Sequence, residues 1–165
     1  MSVQSDLDII VEQERQLVFT QFDEDIAFAI GAHVREAGRA LGKGVAVGVT
    51  LWDRTMFYGV TAGASAGNRA WVERKSNTVR LQMKSTYRIV LERGDKPRLF
   101  EDSWALDPAL YVIAGGAFPI VMKGLGVVGA VATSGLSERD DHELSRRAIA
   151  VAIGRNPDDL ALPVV

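Results

Sequence analysis

Residues 123–131 read KGLGVVGAV, and Gly124, Gly126 and Gly129 fall at the G-x-G-x-x-G spacing that cradles a dinucleotide pyrophosphate. That spacing binds phosphate only where it follows a strand and opens a helix, because the helix N-terminus supplies the N–H groups and the partial positive charge. The fold therefore turns on what flanks these nine residues. On the N-terminal side, FPIVM (118–122) is apolar and β-prone, and on the C-terminal side VVGAVATS (127–134) is another such run. The first helix-start signal after them is Ser137, with Asp140 at the reciprocal capping position of a helix over 138–153. Gly124 and Gly126 thus read as a hairpin turn and Gly129 as part of a strand, with no phosphate site.

The same reading extends along the chain. Leu7, Ile10, Val11, Leu17 and Val18 follow helical spacing over about 6–19, and Asp23 caps a second helix with the apolar stripe Ile26, Ile30, Val34, Ala37 and Leu41. GVAVGVTLWD (44–53) and TMFYGVTA (55–62), joined at Asp53-Arg54, predict a hairpin. After the loop GASAGN a long helical segment covers about 68–93, with Ser85-Thr86 as a break point. Residues 99–108 read as a loop, LYVIA (110–114) as a further strand, and Gly115-Gly116 as the tight turn joining it to FPIVM. The order ααββαβββα, with hairpins in place of β-α-β crossovers, predicts an α+β domain spanning 1–165 whose sheet is mostly antiparallel. It also excludes a doubly wound dinucleotide fold. Residues from about 155, punctuated by Pro157 and Pro163, read as a mobile polar tail.

Composition narrows function by exclusion. The chain has 165 residues, no cysteine and a formal net charge of −2, so disulfides, thiolate zinc and Fe–S clusters are ruled out and nothing draws the whole molecule to nucleic acid or anionic lipid. No apolar run approaches a membrane span, and the N-terminus lacks the basic start of an export signal, which points to a cytoplasmic protein. Between Gly67 and Arg93, however, seven basic residues face two acidic ones. Arg80, Lys84 and Arg88 recur every four residues as a stripe on one helix face, suited to carboxylates, phosphates or the acidic remainder of a second subunit. Nucleic acid fits less well, because aromatic residues are only 7% of the chain and no reading motif is present.

GGAFPI (115–120), GLGVVGAVATSGL (124–136) and DDHELSRRAIA (140–150), together with Trp71, Arg74, Lys75, Asn77 and Val79 spaced W-x-x-R-K-x-N-x-V, resemble the GlcG-like family of haem-degrading or haem-binding domain proteins. The resemblance implies a profilin-like fold, with a five-stranded antiparallel sheet of order 2-1-5-4-3 flanked by helices on both faces, and a homo-oligomer. It also implies a small-ligand-binding protein, with haem, another anionic cofactor or a small carboxylate as the ligand class. An enzyme acting on a small carboxylate and an oligomeric scaffold for a protein partner are the alternatives. The expected ligand-binding residues are Trp71, Arg74, Lys75 and Asn77 on the basic helix, Gly115, Gly116, Phe118 and Pro119 as a rim, and His142 as an axial ligand. His33 reads as a packed or interface histidine, and Gly115-Gly116 equally as a tight turn. No Ser-His-acid or paired-carboxylate arrangement emerges, so no catalytic residue is assigned.

Overall fold

The computed structural model describes residues 3–164. Helix α1 (Val3–Gln16) runs into a two-residue strand β1 (Val18–Phe19), followed by α2 (Glu24–Ala40), β2 (Ala46–Leu51), β3 (Arg54–Val60), α3 (Ala66–Gln82), α4 (Thr86–Arg93), β4 (Ala117–Met122), β5 (Gly126–Ser134) and α5 (Glu138–Ala152). A short 3-10 turn occupies Asp102–Trp104. Local chemistry sets the boundaries: the Asp23 side chain accepts from the Ile26 N–H at 2.9 Å to open α2, and Ser137 accepts from the Asp140 N–H at 3.1 Å to open α5. The 68–93 segment divides near Ser85 as expected, with Met83 taking a left-handed conformation (φ 56°) at the end of α3.

The strands form one sheet in the order β1-β4-β5-β2-β3. The β2–β3, β2–β5 and β4–β5 pairs are antiparallel, and β1 joins β4 in parallel, with the Lys123 N–H donating to the Phe19 carbonyl at 2.9 Å. The sheet is therefore mixed and not wholly antiparallel, and the expected strand at 110–114 is not a strand. Its backbone is spoken for elsewhere: Asn77 Nδ2 donates to the Leu110 carbonyl at 2.9 Å, Arg74 to that of Tyr111 at 3.4 Å, and Thr78 Oγ1 to that of Val112 at 2.7 Å. Side chains of α3 hold the segment off the sheet edge, and Ile113 packs with Ile89 and Val90 of α4. Gly115-Gly116 consequently makes no hairpin turn. The β4 edge beside Pro119 stays open to side chains: the Ala117 N–H points away from β5 to Thr86 Oγ1 at 2.9 Å, so the imide nitrogen of Pro119 faces the same unpaired side.

Helices cover both faces. On one, Ile30 and Val34 of α2 and Ala148 and Ile149 of α5 bury Val47, Val49, Phe118, Ile120 and Val131. On the other, Val72 and Val79 of α3 lie on Ala46, Ala117, Ala130 and Ala132. These small strand residues let α3 come close, and Gly48 faces Val72 where a Cβ would sit 2.7 Å from its Cγ1. The turn at 123–125 and the positive φ of Gly124 and Gly126 (79° and 87°) match the hairpin reading of KGLGVVGAV, and α5 opens only after Ser137. Gly129 lies where a Cβ would overlap the Thr50 carbonyl oxygen. Gly129→Ala is expected to destabilise the protein by about 1–3 kcal/mol, read as a lower urea midpoint at unchanged m-value.

Residues 155–164 lie against α1 and α5. Arg146 donates to the carbonyls of Pro157 and Asp159 at 2.8 and 3.3 Å, and Gln13 to that of Leu160 at 2.7 Å. Among the described residues, no helix is long and apolar enough to cross a membrane.

Candidate functional site

Helix α3 carries four of the seven basic residues between Gly67 and Arg93, and its residues divide by face. Residues 69, 73, 76 and 80, spaced by three and four, share the side toward β2 and β3, while residues 71, 74 and 78 share the side toward 110–112. On the first side Arg69 lies over the Tyr58 ring, 5.6 Å from its centroid, and Arg80 over the Trp52 ring at 5.9 Å. Trp52 is fixed in place by its Nε1–H donating to the Val127 carbonyl at 3.1 Å. Next to Arg69 a cleft of about 230 Å³ opens between α3 and the β2–β3 hairpin, floored by Gly48 and Thr50 and walled by Tyr58, Arg69, Glu73 and Asn77. Arg69 meets Glu73 at 2.9 Å, but both side chains are well exposed, so this pair is weak and open to competition by a ligand anion.

The residues expected to bind ligand fall elsewhere, Asn77 excepted. Arg74 stacks on Trp71 at 4.8 Å, on the opposite side of α3, and its Nε is buried with no partner among the described residues. Lys75 is 4% exposed and donates to Asp141 Oδ2 at 3.0 Å and to the Thr133 carbonyl at 2.7 Å, joining α3 to α5 and β5. Gly115, Gly116, Phe118 and Pro119 are all buried. A Cβ on Gly116 would meet the Lys75 ammonium at 2.6 Å, and one on Gly115 would meet Glu138 Cβ at 2.8 Å. The glycine pair therefore admits the start of α5 and the lysine, and forms no surface rim in the single chain. Nor do Arg80, Lys84 and Arg88 form one stripe, because α3 ends between them. Lys84 pairs with Glu92, and Arg88 with both Glu14 and Glu92 at 2.7 Å.

His142 is fully buried between Tyr87 and Phe118, with Nε2 2.9 Å from Gln13 Oε1 and Nδ1 without a partner among the described residues. Burial, aided by the charges of Arg146 and Arg139, pushes its pKa down to about 3. His33 is half-buried on α2, and burial with the nearby Arg147 lowers its pKa too. Neither histidine lines the cleft, and the cleft is smaller than the ~300–1,000 Å³ usual for ligand sites. As folded in one chain, these residues do not fit a histidine-ligated haem. Among the described residues, no group of three or more His, Asp or Glu could hold a metal ion.

Comparison with known proteins adds a family and a fold. The family model described as "Haem degrading protein HbpS-like" matches residues 22–150. A UPF0303 protein of Brucella melitensis biotype 2 is 47% identical over 154 residues, covering 93% of this chain and 91% of that protein. Among solved structures, the Ybr137w protein superposes with a TM-score of 0.81 at 23% identity, covering 93% of each chain. The PduOC–haem complex gives 0.67 at 17% identity, covering 82% of this chain and 97% of the other. At these identities the two structures speak for the fold.

Proposed function

The chain belongs to the HbpS-like family of haem-degrading proteins, and on that footing we propose that it is a small-ligand-binding protein that seats an anionic, carboxylate-bearing ligand between α3 and the β2–β3 hairpin. One observation carries this reading: Arg69 lines the cleft and lies over the Tyr58 ring that walls it, and Arg80, further along the same side of α3, lies over the Trp52 ring. An aromatic face holds a guanidinium flat and leaves its N–H edge free to grip a carboxylate with two parallel hydrogen bonds. Asn77 Nδ2 already serves the Leu110 carbonyl, so its amide oxygen is the group left to accept from a ligand hydroxyl. Haem enters this reading through its propionates on α3 and not through His142.

Calorimetric titration of haemin and of a panel of small aromatic and aliphatic carboxylates tests it. At least one should bind saturably, and Arg69→Ala or Arg80→Ala should weaken it by about tenfold or more, as loss of a charge-assisted hydrogen bond of ~1.5–3 kcal/mol requires. Both arginines are exposed, so the variants should fold normally. Blank titrations throughout, or binding that survives both substitutions and is lost in Arg74→Ala, would contradict the assignment.

A further inference from the structure

Strand β3 is not regular, and its irregularity shapes the cleft. Val49 pairs with Phe57 and Gly48 with Tyr58, but the register then shifts so that Thr50 pairs with Thr55 and Met56 is the extra residue of a β-bulge. Met56 and Phe57 both pack against the core on the α2 side of the sheet. Side-chain alternation therefore skips one position, and Thr55 lines the cleft under α3 together with Tyr58 and Thr50. An unbroken strand would aim Met56 into the cleft and turn Thr55 to the opposite face. The bulge thus replaces a thioether with a hydroxyl at the mouth of the cleft.

The Thr50, Thr55 and Tyr58 hydroxyls make no hydrogen bond among the described residues, and each can both donate and accept. On the wall opposite, Ser76 Oγ donates to the Val72 carbonyl and Asn77 Nδ2 to the Leu110 carbonyl, both at 2.9 Å, so these two offer the cleft only oxygen acceptors. Glu73 supplies a carboxylate, 2.9 Å from Arg69. A ligand carboxylate that takes the Arg69 fork displaces Glu73, which is then best satisfied by donors on the same ligand. Two neighbouring hydroxyls can each donate to one of its oxygens. An ammonium would serve less well, because it cannot accept from the threonines and its charge would lie beside the Arg69 guanidinium. The geometry points to a ligand whose carboxylate is flanked by several hydroxyls, a sugar acid of monosaccharide size, with Arg69 on the carboxylate and Glu73, Thr50 and Thr55 on the hydroxyls. This rests on the cleft being the carboxylate site, and its volume of about 230 Å³ admits so small a molecule.

Calorimetric titration of gluconate, glucuronate, hexanoate and glucose tests the assignment. Gluconate or glucuronate should bind about tenfold or more tighter than hexanoate, which has the carboxylate alone, and than glucose, which has the hydroxyls alone. Thr50→Val and Thr55→Val keep a β-branched side chain and remove only the hydroxyl, so each should weaken the sugar acid by about threefold to tenfold and hexanoate by less. Glu73→Gln frees Arg69 from its internal competitor for both acids but takes a charged acceptor from the sugar acid alone. The ratio of their affinities should therefore narrow by about tenfold. Should a threonine variant lose its fold by circular dichroism, that ratio decides, since Glu73 is exposed. Sugar acids that bind no tighter than hexanoate, or a preference that survives all three substitutions, overturn the assignment. Hexanoate binding that Arg69→Ala abolishes, with nothing gained from hydroxyls, would leave the carboxylate reading standing without it. Sugar-acid binding lost in Thr50→Val but untouched by Arg69→Ala would sink the carboxylate reading instead, and blank titrations of every compound would sink both.

Discussion

Asp141→Ala is expected to cost about 3–5 kcal/mol of folding free energy, because it strands the Lys75 ammonium without its counter-charge inside the protein. Lys75 and Asp141 have side chains only 5% and 3% exposed, 3.0 Å apart. The pair spans three elements: the lysine rises from α3, the carboxylate hangs from α5, and the second lysine bond goes to the Thr133 carbonyl of β5. Asp141 also accepts from the Leu136 N–H at 3.0 Å, fixing the loop that leads into α5. Removing both charges in Lys75→Met/Asp141→Leu should cost less than Asp141→Ala alone, since no unpaired charge is then buried. It should not be neutral, because the Leu136 N–H loses its acceptor. Urea unfolding of the two variants and the wild type measures this, and a single variant less damaging than the double would refute it.

Acidification is the second large effect. His142 has a folded pKa near 3, against 6.5 for an unburied histidine, so below pH 6.5 the unfolded chain takes up a proton that the folded chain refuses. Stability contributed by the neutral ring is complete above 6.5 and falls with decreasing pH, by up to about 1.4 kcal/mol per unit. His33, lowered in the same direction, adds to the slope. Glu36 and Glu92 are also lowered, from 4.5, by ion pairs with Arg39 and with Lys84 and Arg88, so their contributions are lost only at more acid pH. The interval between 6.5 and 4.5 therefore isolates the histidines. Urea midpoints across it should drop steeply in the wild type and much less in His142→Leu; parallel curves would show that the buried ring is not the cause.

Much of this architecture is legible in the sequence because it is local. The glycines of KGLGVVGAV, the Ser85-Thr86 break, the β2–β3 hairpin and the caps at Asp23 and Ser137 each depend on residues within a few positions of one another. LYVIA misleads because β-propensity cannot show that Arg74, Asn77 and Thr78, more than thirty residues earlier, take up its carbonyls. Val18-Phe19 is too short to register as a strand, and only β4 makes it one. The W-x-x-R-K-x-N string has the composition of a ligand site, yet Trp71 and Arg74 stack on each other, Lys75 seeks Asp141, and Asn77 and Thr78 anchor a loop. The same is true of His142, whose helix position says nothing of the tyrosine and phenylalanine that enclose it. Tyr58 and Arg69 were open to detection: in TMFYGVTA a tyrosine alternates with Phe57 and so lies on the opposite sheet face, and Arg69, Glu73 and Arg80 repeat along one side of the following helix.

The most direct test of the central claim is a crystal structure of the wild-type protein with whichever carboxylate or haemin titrates. The account predicts ligand density between α3 and the β2–β3 hairpin, with anionic groups on Arg69 or Arg80. Density against Arg74 and Trp71, or at Gly115-Gly116 with His142 turned outward, would contradict it.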